Sequence, residues 1–161
     1  MTLTQDRLKQ VLDYSPETGL FCWRVNRSRL AKAGTVAGTP DKDGYVHICI
    51  DQKLYKAHRL AWFYVHGEWP ADQIDHINLV KNDNRIANLR ECDKSQNMAN
   101  TKARGALGVK GVYFDKRRKN YCAQIIKDGA HKHLGSFNSI EQASAAYQVA
   151  AMRLHREFAR A

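Results

Sequence analysis

Four residues in the middle of the chain have the types and the spacing to hydrolyse a phosphodiester bond. Asp75 and His76 are adjacent, Asn88 follows His76 after twelve positions, and Asn97 follows Asn88 after nine. A metal-dependent nuclease needs a hard cation at the scissile phosphate and a base that deprotonates water. The oxygens of Asp75 and Asn97 suit Mg²⁺. His76 suits the base, because imidazole titrates near neutral pH.

The segment from Gln73 to Thr101 must position these side chains. Its pattern predicts a strand, a wide polar loop, a second strand and a helix. Asn88 can brace the loop through side chain-to-backbone hydrogen bonds. Neighbours on a strand point to opposite faces, so Asp75 and His76 share a site only where the strand ends or twists. Alternatively, the Asx residues here are ordinary turn residues.

This spacing resembles the HNH endonuclease motif, in the variant of phage and intron homing endonucleases whose third position is Asn. The flanking segment Lys56–Pro70 also resembles the one that precedes the motif in that family. The resemblance implies a ββα-metal fold in which Asp75 and Asn97 bind the metal, His76 activates water and Asn88 braces the loop. Asn97 in place of a second imidazole favours Mg²⁺ or Mn²⁺.

A helix is predicted just before this motif, from about Ala57 to His66, with Gly67 placed to end it. His58 and Arg59 lie at its N-terminus, where a DNA phosphate can bind. His58 can equally be a structural histidine. The predicted apolar face is formed by Leu60, Ala61, Tyr64 and Val65, and the aromatic residues Trp62, Phe63 and Trp69 are assigned to the core.

The first 57 residues predict a small α+β framework. Residues 3–13 form a helix that Thr4 caps, residues 20–25 form a strand, and residues 43–57 form a hairpin that turns at residues 51–53. A basic cluster lies between the strand and the hairpin. It is open to two interpretations, a solvated surface or phosphate contact, and consists of Arg24, Arg27, Arg29 and Lys32.

Charge favours a polyanionic partner. The 161 residues include 26 Lys and Arg against 16 Asp and Glu, a net charge of +10. Residues 1–100 carry 14 basic and 12 acidic side chains, whereas residues 101–161 carry 12 basic and 4 acidic ones. We therefore expect double-stranded DNA as the partner, with the C-terminal third supplying most of the phosphate attraction.

Other classes of protein fit less well. The four cysteines are 27, 43 and 30 residues apart without a C-x-x-C pair, so no structural zinc is expected. No apolar run approaches a membrane span, and the N-terminus lacks the layout of a signal peptide. We expect a protein with reduced thiols in the cytoplasm of a bacterial or phage-infected cell.

Residues 101–109 predict a basic linker that touches DNA through Lys102 and Arg104. Residues 110–161 predict a second domain of three antiparallel strands and one helix. The strands are assigned to residues 110–115, 121–127 and 131–137. Ser139 caps the helix, whose small, apolar face comprises Ala143, Ala146, Tyr147, Ala150, Ala151 and Leu154.

This second domain resembles the APETALA2-type DNA-binding domain. The resemblance is carried by Gly111-Val112-Tyr113, residues 121–125, residues 134–137 and the alanine-rich helix that ends at Ala159. It implies that the outer face of the sheet enters the major groove. The side chains implied to face DNA are Tyr113, Arg117, Tyr121 and Gln124, and those implied to contact phosphates are Lys110, Arg118, Lys119 and Lys132.

The sequence therefore predicts an α+β protein with an HNH nuclease domain in residues 1–100, a linker in 101–109 and a DNA-binding domain in 110–161. Its predicted function is metal-dependent hydrolysis of DNA, of the homing type. One such unit per chain would nick one strand as a monomer or cut both as a homodimer. The alternatives are an inactive DNA-binding regulator and an RNA-binding or RNA-cleaving protein.

Overall fold

A computed structural model of the chain describes residues 2–29, 31–103, 105, 107–155 and 158–159. Helices alternate with small antiparallel sheets, so the predicted α+β class is confirmed. Contacts divide the chain into two compact units, residues 1–91 and 92–161. No helix within the described ranges is long and apolar enough to cross a lipid bilayer.

The first unit begins with the predicted helix, α1 (Gln5–Val11), whose first turn is capped by the Thr4 hydroxyl. Strand β1 (Leu12–Tyr14) follows directly and pairs antiparallel with β2 (Phe21–Trp23). The buried side chains of these elements form one apolar core with α2, described below. They include Leu8, Val11, Leu12, Phe21 and Trp23.

A three-stranded sheet follows, in the order β3 (Thr39–Pro40), β4 (Val46–Ile50) and β5 (Lys53–Lys56). The turn of the β4–β5 hairpin has two residues, Asp51 and Gln52, with φ values of 47° and 65°. Both values are left-handed, as the turns that match strand twist require. Lys53, predicted to lie in the turn, is instead the first residue of β5 and pairs with Ile50.

Helix α2 spans Ala57–His66 as predicted, and Gly67 ends it with φ 79°. Its buried face includes Leu60, Ala61 and Phe63. Val65 was predicted on that face, and this prediction is wrong, because Val65 is 43% exposed. Val65 lies in the last turn of the helix, after Phe63, the last of its buried residues.

The predicted order of strand, loop, strand and helix is confirmed in β6 (Gln73–His76), β7 (Leu89–Cys92) and α3 (Lys94–Ala99). Strands β6 and β7 form a two-stranded sheet. A polar loop of residues 77–88 joins them and ends in a short 3₁₀ turn. Helix α3 lies in the second unit and begins with a capping box between Asp93 and Gln96.

The Asn88 side chain braces this loop. Its Oδ1 accepts from the Asn78 amide at 3.0 Å, and its Nδ2 donates to Asn78 Oδ1 at 2.9 Å and to the Asp83 carbonyl at 2.8 Å. Asn88 is 7% exposed. The predicted brace is thus a set of three hydrogen bonds that joins both ends of a loop without glycine.

The loop is also held from outside by the N-terminal turn of residues 15–19. The Tyr14 hydroxyl donates to the Asn84 carbonyl at 2.7 Å, and the Ile86 amide donates to the Pro16 carbonyl at 3.2 Å. A Cβ atom at Gly19 would come within 2.4 Å of the Arg85 amide nitrogen. The close approach therefore requires glycine at position 19.

The second unit contains an antiparallel sheet of β8 (Val112–Asp115), β9 (Asn120–Lys127) and β10 (Ala130–Phe137), with β9 in the centre. Helix α4 (Ile140–His155) follows. The helix buries Ala143, Tyr147 and Ala151 against the sheet. The predicted three strands and one helix are confirmed.

Replacing Asn88 with Ala should lower the free energy of unfolding of the first unit by about 2 kcal/mol, because the three hydrogen bonds of a buried side chain are lost. All three tryptophans lie in this unit, so their fluorescence during urea unfolding reports on it. The control is Asn82→Ala, an exposed change in the same loop. Equal midpoints for the two variants would contradict the assignment of Asn88 as the brace.

Candidate active site

His76 ends strand β6 and is buried, with 5% of its surface exposed. Its Nε2 lies 3.2 Å from Asn84 Oδ1, and Asn84 is itself 2% exposed. An amide oxygen only accepts hydrogen bonds, so this contact selects the tautomer with the proton on Nε2 and the lone pair on Nδ1. Burial lowers the pKa of His76, while the Asn84 bond and the Asp75 charge oppose that shift.

His58 on α2 lies beside His76 in the same interior. The two rings meet edge to face, with centroids 5.0 Å apart. Burial, followed by the neighbouring His76, lowers the pKa of His58 to about 3, so its imidazole is neutral. Its buried Nδ1 has no hydrogen-bond partner among the described residues. A side chain that is 5% exposed offers little surface to DNA, the partner that we expected it to contact.

Asp75 is engaged by Arg90 on the neighbouring strand. Its Oδ2 accepts from Arg90 Nε at 3.0 Å and from Nη2 at 2.9 Å. The side chains are 4% and 15% exposed, respectively, so little water screens the pair. Arg90 was not predicted as a site residue. It faces Asp75 because β6 pairs with β7, and this pairing is visible only in the folded structure.

Asp75 and His76 therefore use different partners, as the alternation along a strand requires. Asp75 contacts Arg90, whereas His76 contacts Asn84 and His58. The two remain electrically coupled, because the Asp75 charge favours the protonated form of His76 and raises its pKa against the effect of burial. The side chains of Asp75 and His76 can therefore reach one substrate only at the point where β6 ends.

Asn97 lies in the middle of α3 and is half-buried. Its expected role as a metal ligand stays a prediction. Within the part of the chain that the structure describes, no group of three or more His, Cys, Asp or Glu side chains converges on one point. The oxygens of Asp75 and Asn97 are hard donors of the kind that Mg²⁺ prefers, so their chemistry fits the implied ion.

Two of the cations expected to bind DNA have structural contacts. Arg59 donates to the carbonyls of Asp72 at 2.8 Å and Pro70 at 3.4 Å, which fixes the chain before β6. The Lys110 ammonium donates to the carbonyls of Met98, Ala99 and Thr101 at the C-terminal end of α3. Cations favour such helix ends.

Further cations lie in the linker and in the N-terminal basic cluster. Lys102 is exposed, and Arg104 lies outside the described residues. In the cluster, Arg24 pairs with Asp13 at 3.5 Å. Arg27 pairs with Asp51 at 3.3 Å and lies over the Trp23 ring. Both arginines therefore already have protein partners.

The strand register separates the residues expected on the DNA-facing side of the second unit. Tyr113 pairs with Cys122 and Gln124 with His133, on the face away from α4. Tyr121 lies on the opposite face and packs against the cluster around Ala123. Positions three apart on a strand cannot share a face, so Tyr121 and Gln124 are not brought together.

The turn between β8 and β9 presents four adjacent exposed cations, Lys116 and the three that we expected to contact DNA, Arg117, Arg118 and Lys119. The Asp115 carboxylate accepts from the backbone amides of Arg117 and Arg118 at 2.9 and 3.1 Å and so shapes the turn. Lys132 pairs with Ile125, which places it on the helix side. The exposed turn is thus the densest basic feature of the expected DNA surface.

The stability of the first unit should fall as the pH decreases below 6.5. The folded His58 stays neutral down to about pH 3, whereas in the unfolded chain it takes up a proton near its ordinary pKa of 6.5. The unfolded state therefore binds more protons in that window. This residue contributes a slope of up to about 1.4 kcal/mol per pH unit.

Urea unfolding followed by tryptophan fluorescence between about pH 4.5 and 7, above the carboxyl range, measures this slope. His58→Gln should flatten it, and His66→Gln, a change at the exposed end of the same helix, should not. An unchanged slope in His58→Gln would show that the imidazole is accessible to protons in the folded state.

Comparison with known proteins identifies one segment. Residues 55–99 match the family model described as HNH endonuclease. The chain is also similar to the solved structure titled "DNA binding and cleavage by the HNH homing endonuclease I-HmuI", with 22% identity over 91% of this chain and 86% of that one and a TM-score of 0.44. No curated protein matches the sequence. These matches give no support to the APETALA2-type resemblance, which stays a prediction. The segment of residues 55–99 that resembles the HNH endonuclease family therefore includes Asp75, His76, Asn88 and Asn97.

Proposed function

We propose that this protein is a divalent-metal-dependent endonuclease of the homing type that hydrolyses phosphodiester bonds in double-stranded DNA. The observation that carries the proposal is the environment of His76. The residue lies within the HNH segment, is buried and neutral, and has its tautomer fixed by Asn84. A general base requires such a neutral and oriented imidazole.

In the proposed reaction, Nδ1 of His76 accepts a proton from the attacking water. The bond from Nε2 to Asn84 keeps the ring oriented and becomes stronger when the ring acquires charge, because charge-assisted hydrogen bonds are the stronger ones. The negative charge of Asp75 favours the protonated ring as well. Burial therefore favours the neutral ring before the transfer, while the Asn84 bond and the Asp75 charge offset part of the cost of the cation after it.

Asp75 and Asn97 are the proposed metal ligands, and Mg²⁺ or Mn²⁺ is the proposed ion. When bound, such an ion stabilises the charge that develops on the phosphate and on the leaving oxygen. Arg90 holds Oδ2 of Asp75 through two hydrogen bonds. This contact keeps the carboxylate oriented, since a guanidinium presents its donors in a rigid, planar fork. Asn88 keeps the intervening loop in place.

The second unit is proposed to be an APETALA2-like domain that holds the DNA. The outer face of its sheet presents Tyr113 and Gln124, and its β8–β9 turn presents four cations. Lys102 and Arg104 are the proposed linker contacts, and Lys132, His58 and Arg59 complete the set expected from the sequence. The place of action would be the cytoplasm of a bacterial or phage-infected cell, with the protein acting as a monomer or a homodimer.

An RNA substrate is the second candidate, because Tyr113 is 44% exposed on the sheet and exposed aromatic side chains on a sheet can stack on unpaired bases. Competition between a DNA duplex and single-stranded RNA of the same sequence distinguishes the two. We expect the duplex to compete more strongly. Preferential binding of the RNA would favour the second candidate.

His76→Ala should lower the rate of plasmid relaxation in Mg²⁺ or Mn²⁺ by about 10²–10⁴-fold, the usual contribution of a general base, while DNA binding is retained. Asn82→Ala, in the same loop, is the matched control and should cleave like the wild-type protein. Duplex binding without metal-dependent cleavage in the wild-type protein would favour a regulator instead. Full cleavage by His76→Ala would exclude this residue as the base.

Neutralising Arg117, Arg118 and Lys119 in the basic turn should weaken DNA binding and make it less dependent on salt. Each phosphate contact contributes about 0.9 to the slope of log K against log salt, so the Arg117→Gln, Arg118→Gln, Lys119→Gln triple variant should lower that slope by up to about 2.7. Arg153→Gln, on the helix of the same unit, should leave it unchanged. A wild-type slope in the triple variant would place the DNA contacts elsewhere.

A further inference from the structure

Two lysines from distant parts of the first unit meet over one aromatic ring. Lys56 Nζ lies 4.5 Å from the centroid of Tyr45, and Lys81 Nζ lies 4.8 Å from it. Lys56 ends β5 next to the start of α2, and Lys81 belongs to the braced loop. Both ammonium groups are thus within about one Debye length of each other (~10 Å at 0.1 M salt) and repel.

Neither Lys56 nor Lys81 forms a salt bridge with an acid among the described residues. Lys81 Nζ donates instead to the Asp43 carbonyl at 2.9 Å. The nearby Asp41 is occupied by His47 at 2.9 Å and by two amides of its own turn. Most arginines of this unit, in contrast, are paired with Asp.

The lysine pair, Lys56 and Lys81, lies beside the proposed base. The centroid of the Tyr45 ring is 6.0 Å from that of His76 and 5.4 Å from that of His58. His58 carries the buried Nδ1 that has no partner among the described residues. Unpaired cations and an unsatisfied polar atom thus occur together at this one corner of the fold.

Tyr45 adds a hydrogen-bond donor. Its partial burial, and then the nearby charges of Asp41 and Asp43, raise the pKa of the phenol. The hydroxyl therefore keeps its proton at neutral pH and can donate to an anionic oxygen. The two ammonium groups are donors only, and the phenol O–H can also donate, so together they match a ligand made of negatively charged acceptors.

We propose that Lys56, Lys81 and Tyr45 form a phosphate clamp that binds the sugar–phosphate backbone of the DNA strand next to the phosphate attacked from His76. This inference rests on the proposed function, since it assigns the ligand as nucleic acid. The clamp positions the strand and takes no part in proton transfer. It adds three residues of the first unit to a DNA surface that the sequence had placed mainly in the second.

The test is the affinity for a fluorescent DNA duplex, measured by anisotropy with the full chain in EDTA so that no cleavage occurs. Lys56→Gln and Lys81→Gln should each lower the salt slope by about 0.9, and the double variant by about 1.8. The wild-type advantage over the double variant then shrinks about tenfold between 50 and 200 mM salt. Tyr45→Phe should weaken binding and leave the slope unchanged, because it removes a donor and no charge.

Lys9→Gln is the matched control, because Lys9 also lies over a tyrosine ring, at 5.3 Å from the centroid of Tyr64, in a different part of the unit. Urea unfolding verifies that each variant is folded. A wild-type slope in the double variant, or an equal loss of slope in Lys9→Gln, overturns the clamp while the nuclease proposal stands. If the wild-type chain itself binds duplex DNA without salt dependence, the clamp and the proposed function fail together.

Discussion

The hydrogen bond between His76 and Asn84 is the interaction on which the arrangement of the site depends. Asn84 belongs to a loop without glycine, and its position is set from two directions. Inside the loop, Asn88 joins residues 78 and 83. Outside it, the Tyr14 hydroxyl binds the carbonyl of Asn84 itself. The oriented imidazole is therefore the last member of a series of contacts that starts in the N-terminal β1–β2 hairpin. Residues far from the motif, such as Gly19, thereby become requirements of the site.

Charged side chains of the first unit are likewise held by specific partners. Arg7, Arg27 and Asp51 form one surface group that anchors the β4–β5 turn, and Arg90 holds Asp75 in the interior. Exposed pairs of this kind contribute little to stability, whereas a buried arginine–carboxylate pair is costly to break because one charge would remain unpaired. The lysine pair over Tyr45 differs from these paired arginines. Its ammonium groups repel each other, and a bound phosphate would remove that repulsion.

The sequence predicted the elements well where the signals are local. Thr4 marks the start of α1 and Gly67 the end of α2 through caps that depend on neighbouring residues. The HNH segment was found because its spacing is fixed by one loop. Partner choices were not predictable in this way. The contacts of Tyr14 with Asn84 and of Asp75 with Arg90 join residues 70 and 15 positions apart, and only the folded arrangement brings them together. Tyr121 differs from these cases, since strand alternation could already have separated it from Gln124.

Alternation also explains how adjacent residues can serve one reaction. Asp75 and His76 contact different side chains: Arg90 orients the carboxylate, and Asn84 orients the imidazole. The charge of Asp75 also raises the pKa of His76, against the effect of burial. An imidazole with a fixed tautomer and a carboxylate beside it therefore occur together at one strand end, and each is oriented by a different side chain.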